Sequence, residues 1–223
     1  MPIHIMQIKA FLNRPGIEGP QVIHGYIPAH RKADGRGRNY VGAPGTQTKG
    51  VDFPDTGNPG DYTAMGISGV TIATGVDLGQ TDETTLTRNG LDVGIAEDMR
   101  PYLGLRTYAA LKKLYDLPLT ISRDTADALD YTILAIHGRN IPARYNRDNP
   151  ATPFEDLPWQ AQAAIFSLLF QRGTGAAGKA PNTWAAFQRG DWSDASARLC
   201  NAAMWDGYQT RRRMEGELLK EIL

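Results

Sequence analysis

At 223 residues, with 41% hydrophobic and 22% charged residues, the chain holds enough apolar material for one sizeable core or two smaller ones, and its composition excludes a disordered polypeptide. Twenty-four basic residues balance 24 acidic ones, so no sequence-wide field draws the protein onto nucleic acid or an anionic membrane. The single cysteine, Cys200, excludes an intrachain disulfide and any CxxC metal or redox motif.

Residues 1–10 have neither a basic start nor a long apolar run, so neither a secretory signal nor a membrane span is expected there. Ile5, Ile8, Phe11 and Leu12 recur at helical spacing and predict a helix over 3–13 that Pro15 and Gly16 end. Glu18 stands just past that stop. Residues 30–66 are dense in glycine, proline, aspartate and asparagine and lack an apolar period. They read as an insertion loop, whose basic cluster of Arg31, Lys32, Arg36 and Arg38 suits contact with substrate or partner but more often marks a solvated flap. Residues 69–80 are β-branched and bracketed by glycines, which predicts a strand and turn. A side-chain period of two gives Thr71 and Asp77 a common face, subject to the turn at Gly75.

After Thr84 the pattern is helical. Ser122 opens a run with Ala126, Leu129, Ile133 and Ile136 at helical spacing, with Asp124 in the first turn. Asp156, Leu157 and Pro158 start a second helix, whose Trp159, Ala163, Ile165, Phe166, Leu169 and Phe170 are expected to be buried, and the turn Gly173-Thr174-Gly175 ends it. Further helices are expected over 182–188, 193–205 and from 208 to the end. Cys200, flanked by Ala197, Leu199, Ala202 and Ala203, reads as a small buried hydrophobe. The expected fold class is α+β, mainly helical: an N-terminal helix and glycine-rich β lobe over 1–80, including the 30–66 loop, followed by a helical lobe over 81–223.

Three polar side chains stand out from this pattern. Glu18, between a helix end and a glycine, is placed where a carboxyl projects from a rigid element, although an isolated glutamate is most often solvated surface. Asp77 is a lone acid in an apolar, glycine-rich unit, a position that suits either catalysis or the capping of a turn. Thr71 offers a hydroxyl able to orient water, and is equally an ordinary strand residue. Glycosidic hydrolysis needs a carboxylic acid to protonate the leaving oxygen and a carboxylate to handle the attacking water.

The runs Ile17-Glu18-Gly19, Gly25-Tyr26-Ile27-Pro28 and Ser68-Gly69-Val70-Thr71-Ile72-Ala73-Thr74-Gly75-Val76-Asp77-Leu78-Gly79-Gln80 resemble the catalytic lobe of the pesticin-like lysozymes, which are similar to phage lysozymes. The helical half agrees, since Ala164-Ile165-Phe166-Ser167-Leu168-Leu169-Phe170-Gln171-Arg172-Gly173-Thr174-Gly175 is similar to the central helix and glycine turn of the phage enzymes, and Trp184, Trp192 and Trp205 follow in the same order. The resemblance implies a lysozyme-like, two-lobed fold and a muramidase that hydrolyses the β-1,4 bond between N-acetylmuramic acid and N-acetylglucosamine. Glu18 would be its general acid and Asp77 and Thr71 its water-positioning pair, with inversion if the carboxyls lie roughly 6.5 to 9.5 Å apart. Tyr26 and Gln171 would contact substrate, and Gln171 reads equally as a structural hydrogen-bonding residue. Ala73 stands where the family usually has glycine. The order of Thr71 before Asp77 follows the pesticin branch, whereas in the phage enzymes the aspartate comes first. Arginines 211 to 213 read as a helix-surface cluster.

Two other functions use the same polymer. A zinc amidase or endopeptidase would need metal-ligand spacing that His4, His24, His30 and His137 do not provide. A catalytically silent wall-binding module would keep the fold and lose the chemistry. No cofactor or metal is expected, and a calcium site at Asp52, Asp55 and Asp61 competes with the commoner solvated loop acids. The expected partners are glycan strands and an immunity or inhibitor protein. The protein is expected to be a monomer made in the cytoplasm and acting in the periplasm or wall after release or injection.

Overall fold

In the computed structural model, residues 3–173, 175–205 and 207–223 are described. The chain forms two compact units, one built from Met1–Gly19 with Leu134–Leu223 and the other from Pro20–Ile133. The first is helical and the second carries the sheet. The fold class is therefore α+β and mainly helical, as expected.

The sheet unit is organised on β1 (Val22–Arg31), whose two halves serve different neighbours. The first half pairs antiparallel with β5 (Thr71–Ala73), while the second pairs with β2 (Gly37–Tyr40) and with β4 (Tyr62–Ala64). β3 (Pro54–Asp55) adds to β2 in parallel, and β6 (Val76–Asp77) closes the other edge against β5. The expected 30–66 insertion loop is therefore corrected: this stretch contributes three strands of the sheet. Its strands are only two to four residues long, too short to show a period between the glycines. Burial nevertheless singles out Tyr40, Val41, Val51 and Tyr62. The rings of Tyr40 and Tyr62 lie 4.6 Å apart, and their hydroxyls donate to the carbonyls of Gly57 and Thr56. Among its basic residues, Lys32 donates to the Gly60 carbonyl, Arg31 faces Asp55 and Arg38 faces Asp34.

Three short helices complete this unit: α2 (Glu83–Arg88), α3 (Val93–Met99) and α4 (Thr107–Asp116). Asp82 and Asp92 cap the first two, each accepting backbone N–H groups that the helix leaves unpaired. Leu86, Ala96, Met99, Leu111 and Leu114 pack with Ile27, Val70, Ile72 and Leu78 of the sheet in one core. The division expected at residue 80 is thus not where the compact units part. Residues 81–133 need the sheet to cover their apolar faces, and residues 1–19 pack with the helices instead.

The helix α5 (Arg123–Asn146) starts on Ser122, whose hydroxyl accepts the Thr125 N–H, and runs through the 133/134 division. In the helical unit, α1 (Ile5–Leu12) and α6 (Trp159–Arg172) share a core of Ile8, Phe11, Leu12, Ile165, Phe166 and Leu169. Residues Ala161 to Leu169 are buried without a break, so α6 is enclosed on every side. It ends on Gly173 at φ 73°; Thr174 of the expected turn lies outside the described residues.

The unit continues with α7 (Ala176–Lys179), α8 (Pro181–Arg189), α9 (Trp192–Cys200) and α10 (Gln209–Lys220). The helix expected over 193–205 stops at Cys200, because Asn201 turns the chain and caps a short 3-10 turn over Ala202–Met204. Cys200 is half-buried rather than enclosed, as Ala202 and Ala203 face solvent. Its sulfur fills the space over Gly216, where α9 and α10 touch so closely that an added Cβ would lie 2.6 Å from Sγ.

Candidate active-site clusters

After α1 the chain makes a tight turn that fixes Glu18. Gly16 adopts φ 90° and sits against α10, where an added Cβ would meet Thr210 and Met214 at 3.0 and 3.1 Å. The Glu18 N–H donates to the Leu12 carbonyl at 3.0 Å, and the Gly19 N–H donates to the Arg14 carbonyl. The carboxylate therefore projects from a hydrogen-bonded turn. Its partner is the guanidinium of Arg211 on α10, which is 2% exposed.

Arg211 is the hub of a buried network. Its Nη2 donates to the Ser167 carbonyl at 2.9 Å, and its Nε donates to the Ser167 hydroxyl at 3.1 Å. Ser167 in turn donates to Glu215 at 2.6 Å, and Arg212 donates to the same Glu215 oxygen at 2.7 Å. Glu215 and Arg212 are both fully buried. Burial pushes the Glu215 carboxyl up, with Arg212 and Arg211 opposing, and brings the Arg212 guanidinium down to about 10. Two carboxylates and two guanidiniums leave the cluster neutral, which is how such charges are tolerated in a core.

This overturns the reading of 211–213 as a surface cluster: only Arg213 is exposed. Residue type suggested solvent, but spacing pointed inward. Arg211 and Arg212 precede the buried Leu218 and Leu219 by seven positions, two helical turns on the same face. The partners Glu18 and Arg211 are 193 positions apart, so no local pattern links them.

Thr71 and Asp77 meet in the sheet unit. They are directly opposed across the β5–β6 hairpin, and Thr71 is also opposed to Tyr26 on β1. Opposed residues in antiparallel strands present their side chains on one face. Tyr26, Thr71 and Asp77 thus form one rung across three strands. Tyr26 packs partly against Val22, Val41 and Val51, and Thr71 is buried.

Asp77 caps the 3-10 turn Leu78–Gln80, its Oδ1 accepting the N–H groups of Gly69 at 3.1 Å and Gly79 at 2.9 Å. The two glycines are indispensable to this cradle: a Cβ on Gly69 would lie 2.5 Å from the Leu105 carbonyl and 2.6 Å from the Gly79 Cα. Burial raises the Asp77 carboxyl above the usual range, with these backbone bonds, Gln80 and Arg106 acting in the opposite direction. At the tip of the hairpin, Ala73 adopts φ 53° and Gly75 φ 74°. Ala73 therefore stands in a left-handed conformation that glycine takes at lower cost.

Gln171, at the end of α6, is half-buried, and its Oε1 has no hydrogen-bond partner among the described residues. Beside it Arg172 lays its guanidinium 5.1 Å from the Trp205 ring centre. Arg172, Lys179, Thr183, Met204 and Trp205 line a pocket of about 360 Å³ that Gln171 does not reach. Among the described residues no three histidine, cysteine, aspartate or glutamate side chains gather as metal ligands, so neither the four histidines nor Asp52, Asp55 and Asp61 form such a group. Nor is any described helix long and apolar enough to cross a membrane.

The Pesticin family model, described as "Bacterial toxin homologue of phage lysozyme, C-term", matches residues 44–193. That stretch includes Thr71, Asp77 and Gln171; Glu18 and Tyr26 precede it, and Arg211 and Glu215 follow it. No curated protein matches the chain.

Proposed function

Because the chain belongs to the pesticin family of phage-lysozyme homologues, we propose that it is a muramidase cleaving the β-1,4 bond between N-acetylmuramic acid and N-acetylglucosamine in bacterial peptidoglycan. Glu18 gives its proton to the glycosidic oxygen as the bond from that oxygen to the anomeric carbon breaks. Asp77 and Thr71 hold a water on the opposite face of the sugar. The water oxygen bonds to the anomeric carbon while its proton passes to the Asp77 carboxylate, giving an inverted, α-configured reducing end. Arg211 orients Glu18, and Tyr26 and Gln171 contact the glycan. The enzyme acts in the periplasm or wall after release or injection, and a toxin of this kind requires an inhibitor protein in cells that make it.

The observation that carries this reading is the Thr71–Asp77 rung. It sets a hydroxyl and a carboxylate on one face, with one carboxylate oxygen fixed by two backbone donors. Such pinning fixes the remaining geometry of the carboxylate, as a positioned base requires.

The test is digestion of purified peptidoglycan by wild type, Glu18→Gln and Asp77→Asn, with mass spectrometry of the new ends and proton NMR of the first-formed anomer. Reducing N-acetylmuramic acid ends in the α form from wild type, and none from Glu18→Gln, are expected. Release of peptides, or wall binding without products, would replace this function with an amidase or a binding module. A β-anomer product would remove inversion alone.

A further inference from the structure

Asp130, on α5, is 3% exposed and holds the tip of the β5–β6 hairpin. Its Oδ1 accepts the Thr74 N–H at 2.9 Å and its Oδ2 accepts the Thr74 hydroxyl at 2.7 Å. Thr74 is itself buried and lies between the two positive-φ residues, Ala73 and Gly75. Oδ2 also accepts the amide of Gln21 at 3.0 Å, and that same amide nitrogen donates to Asp127 at 3.0 Å. A buried carboxylate thus receives three donors, two of them from one residue of the turn.

Register is the quantity at stake. β5 and β6 are three and two residues long, and a hairpin so short does not hold its own pairing. Side chains alternate faces, so a slip of one residue would carry Thr71 and Asp77 to opposite sides. Two consecutive-but-one residues in left-handed backbone conformations add a cost that surrounding structure must offset. The Asp130 bonds fix both the backbone and the side chain of the one residue between them.

The geometry points to Asp130 as a positioning residue: by gripping Thr74 it fixes the turn, and through the turn the register that sets Thr71 opposite Asp77. Its effect on catalysis rests on the proposed roles of those two residues, whereas its effect on register does not.

Two readouts separate these levels. The first is the cross-strand contact between residues 71 and 77, measured by NMR as Hα and amide nuclear Overhauser effects in the whole chain. The second is kcat and KM on soluble uncrosslinked peptidoglycan, taken well below the melting temperature of each variant. Asp130→Asn is expected to weaken the 71–77 contacts, leave those between β1 and β2 intact, and lower kcat at least tenfold with KM within about twofold. Leu129→Ala removes a fully buried side chain from the same helix without touching the clamp, and is expected to lose stability yet keep kcat and the 71–77 contacts. Thr74→Ser keeps both donors and should behave as wild type. Thr74→Val removes the hydroxyl bond alone, should lose part of kcat, and should add little to Asp130→Asn in the double variant.

Intact 71–77 contacts and kcat in Asp130→Asn would overturn the assignment, as would equal losses of kcat in Asp130→Asn and Leu129→Ala. If Asp130→Asn does not fold, an unchanged Thr74→Val would overturn it. Full activity of Asp77→Asn would end the catalytic reading of the hairpin, and the Overhauser contacts would still decide whether Asp130 sets its register.

Discussion

Replacing Arg211 with methionine keeps most of the side-chain volume and deletes the charge at the hub of the Glu18 network. The variant loses the pairing to Glu18, both bonds to Ser167 and the contact to Glu215. Glu215, fully buried, is then left with Arg212 and the Ser167 hydroxyl. Removing one partner of a buried ion pair costs about 3–5 kcal/mol, a large part of the roughly 5–15 kcal/mol that holds a domain together. With a urea slope of about 2–3 kcal/mol per M, the midpoint should fall by about 1–2.5 M.

Tryptophan fluorescence reads the right unit, since residues 159, 184, 192 and 205 all belong to the helical one. The deficit also has a sign in pH. Burial already raises the folded-state Glu215 carboxyl above the ordinary glutamate value of 4.5, and losing Arg211 raises it further. As pH falls towards 4.5 the folded state takes up a proton before the unfolded state does, so its stability relative to neutral pH increases. The deficit of Arg211→Met should therefore be largest at neutral pH and shrink on acidification. Adding Glu18→Gln removes the carboxylate left without its cation, while Glu215 keeps Arg212, and should restore about 1–2 kcal/mol. A single variant within 1 kcal/mol of wild type at pH 7, or a double variant that loses the sum of both singles, would refute the argument; both bounds lie outside the range for buried ion pairs.

Three further outcomes follow from the sheet unit. Gly69→Ala forces a Cβ into backbone atoms of Leu105 and Gly79, so chemical denaturation should show a loss of about 1–3 kcal/mol and activity should fall as the Asp77 cradle opens. Ala73→Gly releases a left-handed alanine at the expense of a freer unfolded chain, and a gain of up to about 1 kcal/mol is expected in the same assay. Because burial raises Asp77 above 3.8, the acidic limb of kcat/KM should lie above the ordinary carboxylate range. The folded state binds the extra proton, so this residue makes stability decline as pH rises from 3.8 through its raised value, a slope that Asp77→Asn should abolish.

The parts of this protein legible from sequence are those set by short-range physics. Pro15 and Gly16 ended α1, Ser122 opened α5, and the apolar run from Trp159 gave α6, each through a local rule of capping or periodicity. The hairpin face shared by Thr71 and Asp77 also followed from a period of two, and the turn around Gly75 preserved it. Long-range pairing was not legible. Strands of two to four residues between glycines carry no measurable period, so Tyr40 and Tyr62 went unrecognised as core. Residue type points Arg211 and Arg212 to solvent, whereas the buried face they share with Leu218 and Leu219 is set by helical position. Asp130 carries no sequence signal beyond that of an acid in a helix, because its partners Thr74 and Gln21 are 56 and 109 positions away.

The helical unit is assembled from two pieces of chain that the whole sheet unit separates. During synthesis residues 20–133 emerge as an uninterrupted stretch and can fold as they appear. Residues 1–19 precede that stretch and wait through its 114 residues, roughly 6–23 s of elongation, before the first residue of their partner segment is made. Through that interval Ile8, Phe11 and Leu12 have no core to enter, and Glu18 has no cation, since Arg211 lies 193 positions further on. The cluster carrying the proposed acid is thus completed only once α10 has been made, so a chain that stops after the sheet unit lacks it however well its sheet has formed.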